Sequence, residues 1–185
     1  MFIPLRVNFF YEREPLANYA VIALLLAGQL VNSVWDIAPL AALNRENPSG
    51  ILTALFVHSN WFSAILNVLL LWVFGNALNS NLGTLRFVVV LLSFAVATGV
   101  LHLLLSEQQM LGASGVIAGL VGVFVAAYPA VEIDTISLWA VRPKRVLIPA
   151  WFLAAIWFAV DLTAALLGSG TSAAAAGGLI LGILA

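Results

Sequence analysis

The sequence predicts an all-α protein embedded in a membrane, and two observations carry that prediction. The 185 residues are 63% hydrophobic and 8% charged, with a mean hydropathy of +1.10. A soluble domain carries about 25% charged residues, so this chain has too few charges to coat a water-facing surface and must face lipid. Second, its apolar residues gather into stretches near the ~20 residues that a helix needs to cross a bilayer. Six such stretches lie near 17–35, 61–79, 83–105, 114–130, 147–168 and 172–185.

Each element follows in order. The first twenty residues, MFIPLRVNFFYEREPLANYA, are charged and aromatic and lack a cleavable signal pattern. After the first span, DIAPLAALNRENPSG is long enough for a small interfacial element, with Pro48 and Gly50 marking a turn before Ile51. The fourth span is short and begins at the glycine-rich MLGASGVIAGLVG. AVEIDTISLWAVRPKRVLIP reads as the longest inner loop. Pro143 and Pro149 bracket its basic cluster, and Pro149 suits the first turn of the fifth span. The last stretch has only fourteen residues, 172–185, and reads as a truncated span.

Orientation comes from the basic residues. With the N-terminus inside, the inner segments hold Arg6, Arg13, Arg86, Arg142, Lys144 and Arg145, and the outer segments hold only Arg45. The positive-inside rule then places both termini in the cytoplasm. Trp35, Trp61, Trp139 and Trp151 lie near span ends, where interfacial anchors belong. The absence of cysteine excludes disulfides and thiolate metal sites. A net charge of −1 without a basic run argues against nucleic acid as a partner. No metal or cofactor is expected.

Polar groups inside spans are functional candidates, because desolvating them is costly. Five stand out: Asn67, Ser114, His58, Asp161 and His102. Each also has a plain structural reading. Asn67 can hold two spans together by an interhelical hydrogen bond. His58 and His102 read as interfacial, and Asp161, toward the outer end of its helix, as structurally paired or wetted. Ser114 can be a small residue at a helix contact, since Gly112, Gly115, Gly119 and Gly122 recur at spacings of three, four and seven. Gly178 and Gly182 form a second small-xxx-small pair. If the two faces pack together, the last span lies beside the helix that bears Ser114.

Taken together, these motifs resemble the rhomboid family of intramembrane serine proteases along the whole chain. The resemblance runs from MFIPLR through LTALFVHSNWFSAILNVLLLWVFGNALNSNLG, GASGVIAGLVG and RPKRVLIPAWFLAAIWF to AAAAGGLILG. It implies a six-helix rhomboid fold, a bacterial inner membrane and substrates that are transmembrane helices. It also implies that Ser114 is the nucleophile, that Asn67 and the Ser114 N–H face the developing oxyanion, and that His58 is structural.

The chain departs from the family pattern at three positions. Ser63 stands where the family has a second histidine, four residues before the asparagine. Ala175 stands at the catalytic histidine, three residues before Gly178. Ala118 replaces an aromatic residue that often packs on that histidine. A serine hydroxyl is a poor nucleophile without a base, and losing the base of a serine hydrolase costs on the order of a millionfold in turnover. No histidine follows His102. The chain is therefore expected to be inactive or severely impaired. The alternative is a natural pseudoprotease that binds membrane-protein clients without cutting them. A transporter ranks last, because Asp161 is its only candidate intramembrane charge.

Overall fold

The computed structural model describes residues 2–7, 12–137, 144–166 and 170–185. Trp139, Arg142 and Pro143 lie outside the described residues, as does the side chain of Asp161.

Helices dominate. After strand β1 (Phe2–Val7), α1 (Leu16–Trp35) leads to two single turns, α2 (Ala38–Ala41) and α3 (Gly50–Thr53). The next span starts as α4 (Trp61–Leu70), passes through a π turn at Leu71–Gly75 and ends as α5 (Asn76–Leu82). Then follow α6 (Thr84–Leu105), α7 (Ser114–Ala127), strands β2 (Glu132–Ser137) and β3 (Lys144–Pro149), and helices α8 (Ala150–Leu166) and α9 (Gly170–Leu184). Three helical segments, 16–35, 61–82 and 84–105, are long and apolar enough to cross a membrane, and 114–127 is a shorter apolar helix. Trp35, Trp61 and Trp151 stand at or next to helix ends with their side chains exposed.

One part of the chain differs from the all-helical expectation. The segment read as an inner loop is an antiparallel hairpin of β2 and β3, and β1 adds to β2 in the order β1-β2-β3. Alternation explains it. Ile133 and Thr135 are buried while their neighbours are more open, the period-two pattern of a sheet with one covered face. The strand runs through Pro149, so the next helix begins at Ala150, not 147, and Pro149 sits just ahead of it. The pairing of Val7 with Ile133 puts residues 2–7 and 132–137 at one end of the bundle. Between them the chain passes through α1, α4–α5, α6 and α7, an even number of helical passes.

The core forms around α7, whose residues 115–122 are all buried. Glycine makes this possible on two sides. Toward α6, a Cβ on Gly119 would lie 2.5 Å from the Phe94 ring, and one on Gly115 would lie 2.9 Å from the Thr98 Cβ. Toward α9, a Cβ on Gly178 would overlap the Gly115 carbonyl oxygen, and one on Gly182 the Gly119 carbonyl oxygen. The Cα of Gly182 also lies 2.9 Å from where a Gly122 Cβ would stand. The glycine faces of the two helices therefore meet backbone to backbone. Such contacts drive association where lipid offers no hydrophobic force.

Gly182→Val should accordingly lower the thermal stability of the detergent-solubilised protein, by the ~1–3 kcal/mol or more typical of overpacking. Ile180→Val, on the exposed face of the same helix, should leave it unchanged. Scanning fluorimetry of both variants checks this, and equal melting temperatures would rule out the backbone contact.

Candidate active site

The site is assembled from a loop and three helices. Ser114 is the first residue of α7, with Ala113 as its N-cap. The N–H groups of a helix's first turn have no intrahelical acceptor, so those of Ser114, Gly115 and Val116 are donors at the place where Ser114 sits. The helix is 14 residues long. At ~1.5 Å per residue this gives ~21 Å, less than the ~30 Å of a bilayer core.

The loop ahead of Ser114 is held from two directions. Met110 and Leu43 exchange backbone hydrogen bonds of 2.9 and 3.1 Å, and the Gly112 N–H donates to the Ala54 carbonyl at 2.8 Å. Gly112 has φ +97°, in the left-handed region, and a Cβ there would lie 3.0 Å from the His58 ring. Both facts require glycine at the first position of GASG.

His58 lies in the loop before α4 and is 1% exposed. Its backbone N–H donates to the side-chain oxygen of Gln29 on α1 at 2.8 Å. Asn67, on α4 and also buried, donates from Nδ2 to His58 Nε2 at 2.7 Å. The Ala113 N–H reaches the same nitrogen at 3.4 Å. With Nε2 accepting, the ring proton is on Nδ1, which is buried without a partner among the described residues. Asn67 keeps a second amide N–H beyond the one given to His58. His58 and Asn67 thus come together at Gly112 and Ala113, directly ahead of Ser114.

The other expected residues are placed as follows. Ser63 is half-buried in the first turn of α4, where its N–H is capped by the Asn60 side chain at 2.8 Å. Ala118 is buried in α7. Ala175 is buried on α9 at 1% exposure, one helical turn before the Gly178 that lies on the Gly115 carbonyl. Because α9 runs parallel to α7 along this seam, that turn places Ala175 toward the end of α7 that begins with Ser114. His102 is fully buried near the end of α6, with Nε2 2.8 Å from the Gln108 carbonyl oxygen, so it braces the loop after its own helix.

Sequence reasoning missed Gln29, a buried amide in the first span that orients the His58 loop. It also missed Asn18, Asn76 and Asn79, which form a buried network at the opposite end of α4–α5. All four were open to the rule that singled out Asn67, a polar side chain inside or at the edge of an apolar run.

Burial lowers the pKa of His58 from the usual 6.5 to about 4. The unfolded chain takes up this proton near pH 6.5 and the folded chain only near 4, so unfolding binds a proton between those values. Stability is complete above the window and falls as pH drops through it, by about 3 kcal/mol at its lower end. The melting temperature should therefore fall more steeply from pH 7 to pH 4 in the unaltered chain than in His58→Gln. Parallel curves would show that His58 is not buried as a neutral ring.

The family comparison agrees with this architecture. The model of the rhomboid domain family matches residues 45–185, a stretch that includes His58, Asn67, Ser114 and Ala175. No curated protein matches the chain. The rhomboid family acts on transmembrane substrates within the bilayer. With three helices long and apolar enough to cross, further apolar helices around α7 and a family match over most of its length, this chain is an integral membrane protein that belongs to the rhomboid family.

Proposed function

We propose that the chain is a rhomboid-type scaffold that brings transmembrane helices to Ser114 but lacks the base needed to cut them. The observation that carries this reading is Ala175, a buried methyl group one turn before the α7–α9 glycine contact. In the family's chemistry, serine Oγ attacks the scissile carbonyl while a histidine on the last span takes its proton. The oxyanion is met by backbone N–H groups at the helix start and by an asparagine amide.

Here the donors have candidates: the Ser114 N–H and the second N–H of Asn67. Among the described residues, the proton acceptor has none. The Nε2 of His58 receives Asn67, and that of His102 lies against Gln108. A buried imidazole with a pKa about 4 is also a weak base. The excess of basic residues in segments 1–16, 80–86 and 131–146 supports cytoplasmic termini, and a bacterial inner membrane is the setting that the family resemblance suggests. A pseudoprotease that holds clients without cleaving them fits the same features, since the helix seam does not depend on a catalytic base.

The test is reconstitution of the unaltered chain, Ala175→His and Ala175→His/Ser114→Ala with a single-span substrate. The unaltered chain should cleave no faster than Ser114→Ala. Ala175→His should cleave in a Ser114-dependent way and label with a fluorophosphonate, and the double variant should do neither. Ser114-dependent cleavage by the unaltered chain would overturn the missing base. A folded but silent Ala175→His would overturn the latent site and leave client binding as the function.

A further inference from the structure

At the end of the bundle where α1 begins, a cavity of about 470 Å³ opens between the N-terminal segment and the second span. This is within the ~300–1,000 Å³ range of ligand pockets. Glu12, Arg13, Glu14, Tyr19, Trp72 and Asn76 line it. The cavity is built on fixed walls. Asn18, fully buried, donates from Nδ2 to the Leu71 carbonyl and to the Asn76 side-chain oxygen, each at 2.8 Å. Leu71 begins the π turn, and its carbonyl also accepts the Asn76 N–H five residues on. The Arg13 backbone N–H donates to Ser80 Oγ at 2.9 Å.

The lining has three chemical parts. Arg13, Glu12 and Glu14 are exposed, and none is ion-paired with another described residue; the ion pairs present are Arg45–Glu107 and Arg145–Asp134. One arginine and two glutamates thus line the cavity without internal ion pairs, and the Arg13 guanidinium reaches along its rim to Gly83, where a Cβ would lie 2.7 Å from Nη1. Asn76 spends its side-chain oxygen on Asn18, and its Nδ2 makes no hydrogen bond within the described protein, which leaves a donor at the cavity wall. Tyr19 and Trp72 stack with ring centroids 5.9 Å apart. Trp72 and the neighbouring Leu16 are 50% and 67% exposed, so the wall continues onto the apolar surface of the spans.

We propose that this cavity binds the headgroup of an amine-bearing phospholipid. The Arg13 guanidinium and the Asn76 amide take the phosphate, and Glu12, Glu14 and the stacked rings take the ammonium. The acyl chains lie along Leu16 and Trp72. Two carboxylates beside one guanidinium favour a zwitterionic headgroup over an anionic one. The apolar continuation distinguishes a lipid from a soluble molecule with the same headgroup. The cavity lies at the start of α1 and is independent of the Ser114 site.

Native mass spectrometry of the detergent-solubilised full chain, given equal amounts of phosphatidylethanolamine and phosphatidylglycerol, tests this. One phosphatidylethanolamine should be retained preferentially. Arg13→Gln should lower its retention by roughly tenfold, the loss of a charge-assisted contact. Glu12→Gln/Glu14→Gln should keep lipid binding but lose the preference for the amine. Soluble glycerophosphoethanolamine should not compete at equal concentration. Equal retention of both lipids by the unaltered chain, or unchanged retention by Arg13→Gln, would overturn the site. Effective competition by the soluble headgroup would overturn its assignment to a lipid. Circular dichroism of each variant separates these outcomes from misfolding, and the exposed side chains altered are not expected to disturb the fold.

Discussion

The backbone contact between α7 and α9 sets the geometry on which the rest of the site depends. In lipid, no hydrophobic force draws two apolar helices together, so their separation is decided by how closely their backbones can approach. Gly178 and Gly182 place the α9 backbone on the carbonyls of Gly115 and Gly119. This fixes the height of α9 against α7, and hence which α9 residue stands near Ser114. The opposite edge of α7 uses the same device, with Gly115 and Gly119 against Thr98 and Phe94 of α6. A helix of 14 residues is too short to cross a bilayer core alone. Enclosed on both sides, α7 has protein where it would otherwise meet lipid or water.

A second constraint follows from the first. In a bundle surrounded by lipid, buried polar groups depend largely on partners within the protein. Many of these partners come from two clusters at opposite ends of the α4–α5 span, in which Asn18 Oδ1, Asn79 Nδ2 and His58 Nδ1 stay unpartnered among the described residues. One joins Gln29, His58 and Asn67 to the loop ahead of Ser114. The other joins Asn18, Asn76, Asn79 and the Leu71 carbonyl at the start of the π turn. Each links three or more segments distant in sequence. The first therefore positions the loop ahead of Ser114, and the second fixes the walls of the cavity at the start of α1. His102 does the same on a smaller scale, tying the end of α6 to the loop at Gln108.

How much of this the sequence could reveal depends on the range of the interaction. Apolar runs and glycine spacing are local, and they mark where α1, α4–α5 and α6 run and which faces of α7 and α9 can approach closely. The β2–β3 pairing was harder to see, because Pro143, Pro149 and the basic residues Arg142, Lys144 and Arg145 make this stretch look like a loop in the sequence. Its alternation, Ile133 and Thr135 inward, is only two residues deep. β1 was invisible in principle, since its partner is about 130 residues away. In the site, Ser114 and Asn67 stood out because a polar residue in an apolar run is conspicuous. The pairing of Asn67 with His58 could not be read off, because both residue types have many possible partners and the link forms only once α7 brings Gly112 against the imidazole. The burial of His102 was hidden for a related reason: the loop that covers it returns only in the folded chain.

The structure also changes what the matches to the rhomboid pattern mean. Gly112 is required by its positive φ and by the His58 ring beside it, and Asn67 is required as the donor to a buried imidazole. His58 in turn has its backbone fixed by Gln29. All three have structural tasks that do not involve peptide hydrolysis, so their presence is weak support for activity. Positions 63 and 175 are different. The Ser63 N–H is capped by Asn60 whatever its side chain, and Ala175 fills a tight space between helices without a polar partner. Nothing in the packing calls for histidine at either place; only proton transfer and oxyanion stabilisation would. The departures from the pattern therefore fall at positions that chemistry needs and folding does not, while the matches fall largely where folding alone suffices.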